Sequence, residues 1–147
     1  MNVDNYVKDA PSSLDGIVRQ HRNELRLSTA SELDLAQISK TFLISNLRGI
    51  LRSGFIYKWE FLLVGVANLY IVGHRVGAPD TQGLHSSRII AYDPEINVVL
   101  TQSGSHYILE EFIDPDSDRW LLLHICNWMH GEYAGKYYGV PKVKIFQ

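Results

Sequence analysis

The stretch TQSGSHY (101–107) sets Thr101, Ser103, Ser105, His106 and Tyr107 around Gly104. These are side-chain types that serve as nucleophile and general base. A nucleophile elbow needs its serine in a Gly-x-Ser-x-Gly turn between a strand and a helix, but strand-like sequence lies on both sides of this glycine. Gly104 supplies the positive φ that a tight hairpin turn requires. Ser105 and His106 are neighbours, so on a strand their side chains leave by opposite faces. His106 is badly placed to act as base for Ser105, and the stretch reads as a hairpin turn with no catalytic residue in it.

The other chemistry-bearing residues assemble no site by spacing alone. The histidines are His21, His74, His85, His106, His124 and His130. On a helix, Cys126 and His130 share a face and form half of a zinc site, but no second close pair completes it. DPDSDR (114–119) begins like a calcium loop, yet Arg119 and Ile125 stand where that loop needs Gly and Glu. Helix capping is the reading kept for it. There is no phosphate-cradling glycine loop of either common kind. Lys136, Tyr137, Tyr138, Lys142 and Lys144 interleave aromatic and cationic residues as single-strand binders do. The sequence therefore implies no catalytic residue, no cofactor and no metal.

Composition narrows the classes further. The chain has 147 residues and a formal net charge of −2. Residues 1–60 carry eight Lys/Arg against seven Asp/Glu, and residues 61–147 carry six against nine. Neither half has the basic excess of a duplex-DNA binder, and neither is acidic enough to mimic DNA. Cys126 is the single cysteine, so no internal disulfide forms and a reducing compartment is expected. MNVDNYVKDAPSS lacks the apolar core of a secretory signal. FLLVGVANLYIVG (61–73) is shorter than the roughly 20 residues of a membrane helix. These features lead us to expect a cytoplasmic protein.

The elements that must position these residues follow from periodicity. Residues 1–12 read as a polar lead-in. Leu14, Ile17, Val18, His21 and Leu25 fall at helical spacing behind Ser12 and Ser13, with Arg19, Arg22 and Arg26 as a stripe beside that face. A second helix is expected from Ser31, with Asp34 in a capping-box place and Gly54 beyond its end. Five short strands follow in FIYKWEFLLV, LYIVGHRV, SSRIIAY, NVVLTQ and SHYILEEF, separated by turns and by the loop GAPDTQG (77–83). Asp114 and Pro115 fit the cap and first position of a helix carrying Leu121, Leu122, Ile125, Trp128 and Met129 on one face, with Gly131 near its end. VPKVKIFQ alternates as an edge strand does.

Residues 73–109, GHRVGAPDTQGLHSSRIIAYDPEINVVLTQSGSHYIL, resemble a module of small uncharacterised phage and mobile-element proteins. In that module a Gly-rich loop precedes a His/Thr-Ser-x-Ile run and a strand-turn-strand ending T-x-S-G-S-x-Y-x-L. The residues that carry the resemblance are Gly83, His85, Ser86, Ser87, Ile89, Thr101, Ser103, Gly104, Ser105, Tyr107 and Leu109, and the matching stretch covers about a quarter of the chain. It implies a small viral or mobile-element protein, of which host-defence inhibitors are one kind, and it brings no catalytic residue with it.

The resulting expectation is one α+β domain. Its N-terminal helices (13–54) pack on a five-strand antiparallel sheet or small SH3-like barrel (55–112), followed by a C-terminal helix and edge strand (113–147). The expected function is a non-enzymatic protein–protein interaction module, a phage-encoded inhibitor that covers the surface of a bacterial defence complex in the manner of an anti-CRISPR. Candidate partner-binding residues are Arg75, Asp80, His85, Lys136, Tyr137 and Tyr138, with the exposed loops 77–85 and 131–141 as the contact regions. Arg19, Arg22 and Arg26 are weaker candidates. The alternatives are a small barrel binding single-stranded nucleic acid or RNA, and an enzyme with a dispersed site around His74, His85 and His106.

Overall fold

The computed structural model describes residues 7–8, 11–36, 55–65, 68–79, 81–132, 135–141 and 144–145. The strands are β1 (Val7–Lys8), β2 (Leu27–Thr29), β3 (Phe55–Val64), β4 (Asn68–Arg75), β5 (Leu84–His85), β6 (Ile89–Asp93), β7 (Val98–Thr101), β8 (His106–Leu109) and β9 (Lys144–Ile145). The helices are α1 (Glu32–Ala36) and α2 (Arg119–Glu132). The main sheet runs β5-β4-β3-β8-β7-β6, with β2 also on β3, and β1 pairs separately with β9.

β3 is the hub. It pairs antiparallel with β4 along its length, parallel with β8 at Phe55–Ile56, and antiparallel with β2 at Leu62–Val64. Apolar layers cover both of its faces, so Phe61–Val64 is a continuous buried run. Leu62, Val64 and Val72 meet Leu14, Ile17, Val18 and Leu25 together with Leu121, Leu122, Ile125 and Met129 of α2. Phe61, Leu63, Leu69 and Ile71 meet Ile89, Val99 and Leu109 on the other side. The alternation of β4 sends Tyr70, Val72 and His74 toward the helix: Tyr70 packs edge-on against Trp128 at 4.9 Å, and His74 reaches Asp118.

A β-bulge interrupts the β3–β4 ladder. Tyr57 pairs with His74 and Glu60 with Val72, so β3 carries one extra residue, and Lys58 takes a left-handed φ of 51°. The backbones close on each other at Gly73, where a Cβ would stand 2.7 Å from Ile56 Cγ2 and 3.1 Å from Trp59 Cα.

Several expectations are corrected. The sheet is mixed, open and larger than the five-strand antiparallel sheet or barrel expected from sequence. Two features overturn it: β8 lies parallel to β3, and the strand order leaves β5 and β6 at the ends. The reason lies at 84–86. β5 and Ser86 seal the free edge of β4, with Ser86 N donating to the Ile71 carbonyl and Ile71 N to Ser86 Oγ. The next three strands therefore form a second meander that returns to the opposite edge of β3.

The expected first helix is not one. Ser13 caps only a 3-10 turn, Leu14–Gly16, and the chain reverses at His21, whose φ of 53° no right-handed helix accepts. Its apolar residues are still buried, each against β3 or α2; tertiary packing uses the pattern without the helix. Ser31 and Asp34 do form a reciprocal capping box, Asp34 N donating to Ser31 Oγ and Ser31 N to Asp34 Oδ2. Residues 37–54, the remainder of the expected second helix, lie outside the described residues. Asp114 and Pro115 open a separate 3-10 turn, and Asp118 caps α2 instead through Leu121 N. Val7–Lys8, inside the expected polar lead-in, is a strand that pairs with β9. Among the described residues no helix is long and apolar enough to cross a membrane.

Candidate functional site: histidine-lined clefts beside Gln82 and Gly83

β4, β5 and α2 bring four titratable residues together that sequence spacing keeps apart. His74 Nδ1 lies 2.8 Å from the Gln82 carbonyl and His74 Nε2 lies 2.7 Å from Asp118 Oδ2. A carbonyl and a carboxylate only accept, so both ring nitrogens carry hydrogen and His74 is an imidazolium. Burial alone would lower its pKa, but the hydrogen bond and charge of Asp118, together with the Gln82 carbonyl, raise it. Burial would raise Asp118, but its bonds from His74 and from Leu121 N hold it below the ordinary carboxylate range. The His74 side chain is 1% exposed. It is a buried clamp that ties the loop to the first turn of α2, with both nitrogens occupied.

The second pair is of another kind. His85 sits opposite Val72 in the ladder, and this places it on the helix side of β5. Its Nδ1 is 3.0 Å from His124 Nε2, and its ring stacks on Trp128 with centroids 4.2 Å apart. Burial lowers both rings. His124 is pushed down to about 4, with the charges of His85 and His74 adding to the effect, and His85 is lowered against an opposing pull from Glu132. Both rings are neutral at pH 7, and one donates to the other.

Gln82 and Gly83 cross this pair as a strap. A Cβ on Gly83 would lie 2.8 Å from His124 Cβ, so glycine permits the contact. A cleft of about 370 Å³ opens on one side, lined by Arg75, Ala78, Gln82, Gly83, Leu84, His85 and Tyr107. Another of about 300 Å³ lies on the other side, lined by Thr81, Gln82, Gly83, Trp120, Leu123, His124 and Asn127. Volumes near 300 Å³ and above suit a small group or a few side chains. The first cleft offers an exposed guanidinium, an imidazole, a phenol and an amide, which together suit an acidic group.

Of the residues singled out from sequence, Arg75 and His85 line one cleft. Asp80 lies outside the described residues. Lys136, Tyr137 and Tyr138 form a turn after α2 that packs on the 19–24 segment: Arg19 N and Gln20 N donate to the Tyr138 carbonyl, Tyr137 stacks on His21 at 4.0 Å, and its hydroxyl donates to Glu24. The three arginines form no stripe, because their segment is not helical. Arg19 donates to the Gly16 carbonyl, Arg22 pairs with Asp15, and Arg26 bonds Ser28 and pairs with Asp34. They tie the N-terminal turns together.

His106 joins neither pair. It is 5% exposed, while Ser105 Oγ engages Ser103 Oγ in a hydroxyl cluster with Thr101 and Ser87. The hairpin turn is present, with Gly104 at φ 89° and Thr101 N bonded to the Ser105 carbonyl. Cys126 and His130 point to the carbonyls of Pro141 and Val140, and burial pushes the thiol up to about 11. Among the described residues no group of three or more His, Cys, Asp or Glu is placed to hold a metal ion.

Sequence reasoning passed over Asp118 as a partner, His124 as a neighbour of His85, and Gln82 and Tyr107. One signal was available: His124 precedes Trp128 by one helical turn, on the face that α2 turns toward β4 and β5. Set against known proteins, the chain matches no family model, no curated protein and no solved structure.

Proposed function

We propose that this protein is a non-enzymatic interaction module that grips an acidic group of a protein partner in the Arg75 cleft and covers the surface around it. The observation that carries this reading is the cleft itself: Arg75, His85 and Tyr107 converge beside Gln82, whose carbonyl is held by the buried His74–Asp118 ion pair. Such a site is pre-organised, and binding costs little ordering. Arginine and tyrosine are the side chains that anchor interfaces. Inhibition of a bacterial defence complex by occlusion is the form this takes if the resemblance to phage and mobile-element proteins holds. The test is capture from bacterial lysate by tagged wild-type protein and by Arg75→Glu, with nuclease present. A stoichiometric protein partner lost on charge reversal supports the reading; a partner equally retained by Arg75→Glu contradicts it.

A second reading, a histidine-centred enzyme, is favoured by one observation. His85 is a neutral imidazole beside an arginine in a cleft, the state a general base requires. Turnover in a hydrolase substrate screen that vanishes in His85→Ala would support it.

A further inference from the structure

We infer that an acidic group entering the Arg75 cleft brings one proton with it, taken up by the His85–His124 pair. This rests on the proposed binding reading and adds its regulation.

The geometry supplies both a place for the proton and a reason for it to arrive. The two rings share a single hydrogen across the 3.0 Å between His85 Nδ1 and His124 Nε2. One added proton fits this arrangement. His85 then carries hydrogen on both nitrogens: Nδ1–H is held by His124, and Nε2–H is left for a ligand. The contact between the rings becomes charge-assisted and so strengthens. The face of Trp128 lies against the His85 ring, a placement that favours a cation. A second proton would set two donors against each other, so uptake stops at one.

The surrounding charges decide when the first proton binds. On α2, His85 is faced by His124 and, more remotely, Glu132, whose carboxylate is engaged by Trp128 Nε1 at 2.7 Å. β4 contributes Arg75 to the same cleft, and β8 contributes Tyr107. His74 acts on His124, and its own charge is matched by Asp118, with Lys58 of β3 reaching both. At His85 the Glu132 carboxylate favours the cation and burial opposes it, while at His124 burial and the charges of His85 and His74 oppose it. Both rings are accordingly neutral at pH 7. A carboxylate beside Arg75 changes that balance by supplying a near counter-charge, and it raises the affinity of His85 for a proton. By linkage, a proton that strengthens ligand binding makes affinity rise as pH falls.

The probes are an acetylated, amidated triglutamate peptide and sulfate. The peptide tests a carboxylate, and sulfate tests any oxyanion of constant charge. Binding of each to the full chain is followed by amide shifts at Arg75, Gln82, Gly83 and His85 between pH 5 and 8. His85 protonation is read separately from the ring resonances and from quenching of Trp128 fluorescence. Peptide affinity is expected to rise by up to about tenfold per pH unit on acidification. The His85 ring pKa should rise when the peptide is bound, and His85→Asn should lose the pH dependence. Equal affinity across the range would overturn proton uptake and leave the binding reading intact. A pH dependence that persists in His85→Asn would also overturn it. No binding of the peptide at any pH would overturn both. Sulfate bound as tightly as the peptide, with the same pH dependence, would retain the proton uptake and replace the carboxylate by oxyanions in general.

Discussion

His74 and His85 occupy adjacent strands and face the same helix, yet their surroundings set opposite states. His74 has an acceptor on each nitrogen and almost no exposure, so it holds its charge and spends both hydrogens on structure. His85 has another imidazole for a partner and, among the described residues, no hydrogen bond on its other nitrogen, so it stays neutral and keeps a group for use. A histidine's role is thus read from what each nitrogen meets. Burial does not decide the matter, since the more deeply buried ring is the one that holds its charge. The first pair is a strut and the second is the part of the site free to respond.

The comparison can be broken hardest at the strut. His74→Leu leaves Asp118 buried without its counter-charge and the Gln82 carbonyl without a donor. Removing one partner of a buried ion pair costs about 3–5 kcal/mol, and urea denaturation should show a loss of that order. A loss below about 1 kcal/mol would mean the pair is not an ion pair.

The pH dependence of stability should separate the two pairs by sign. The raised His74 stabilises in full below the ring's ordinary 6.5 and loses its contribution as pH rises through its higher folded value. Depressed Asp118 stabilises in full above 3.8 and loses its contribution as pH falls through its lower folded value. The strut is therefore at full strength between those limits. His124 behaves oppositely: its contribution is complete above 6.5 and is lost as pH falls toward its folded value of about 4. Glu60, pushed up to about 7 by burial, loses stability as pH rises above 4.5, equally in each variant. Denaturation from pH 4 to 8 should thus show His124→Gln relieving the acid-side loss and His74→Leu relieving the alkaline-side loss. The reverse assignment would invert the account.

A smaller effect is expected at the strap. Gly83→Ala puts a methyl within 2.8 Å of His124 Cβ, an overpacking worth about 1–3 kcal/mol. It should also lift the loop from α2 and weaken the ring contact, seen as reduced quenching of Trp128 at low pH. The smallest effect on stability belongs to Arg75→Glu. This exposed change should leave the denaturation midpoint within about 0.5 kcal/mol of wild type while removing peptide binding.

How far the sequence carries this account differs between elements. All five expected strands exist, because alternation and turn chemistry are local properties of FIYKWEFLLV through SHYILEEF. Gly104 marks its turn for the same reason, and α2 is recognisable from its apolar face. Pairing is not local. Nothing in SHYILEEF says that it will lie parallel to β3, since that depends on β5 and Ser86 first closing the edge of β4. The helix expected over 13–26 failed because the spacing of Leu14, Ile17, Val18 and Leu25 signals burial, and turns around His21 can bury them as well. Arg75 and His85 were legible as candidates because they flank the loop GAPDTQG. Their convergence with Tyr107 and His124 was not, because four separate elements create it.

The most direct measurement is the long-range proton–nitrogen spectrum of the histidine rings at pH 7. The account expects both nitrogens of His74 to carry hydrogen, and His85 and His124 each to show one protonated and one bare nitrogen. A neutral His74, or a doubly protonated His85 in the free protein, would contradict the division between strut and responsive pair.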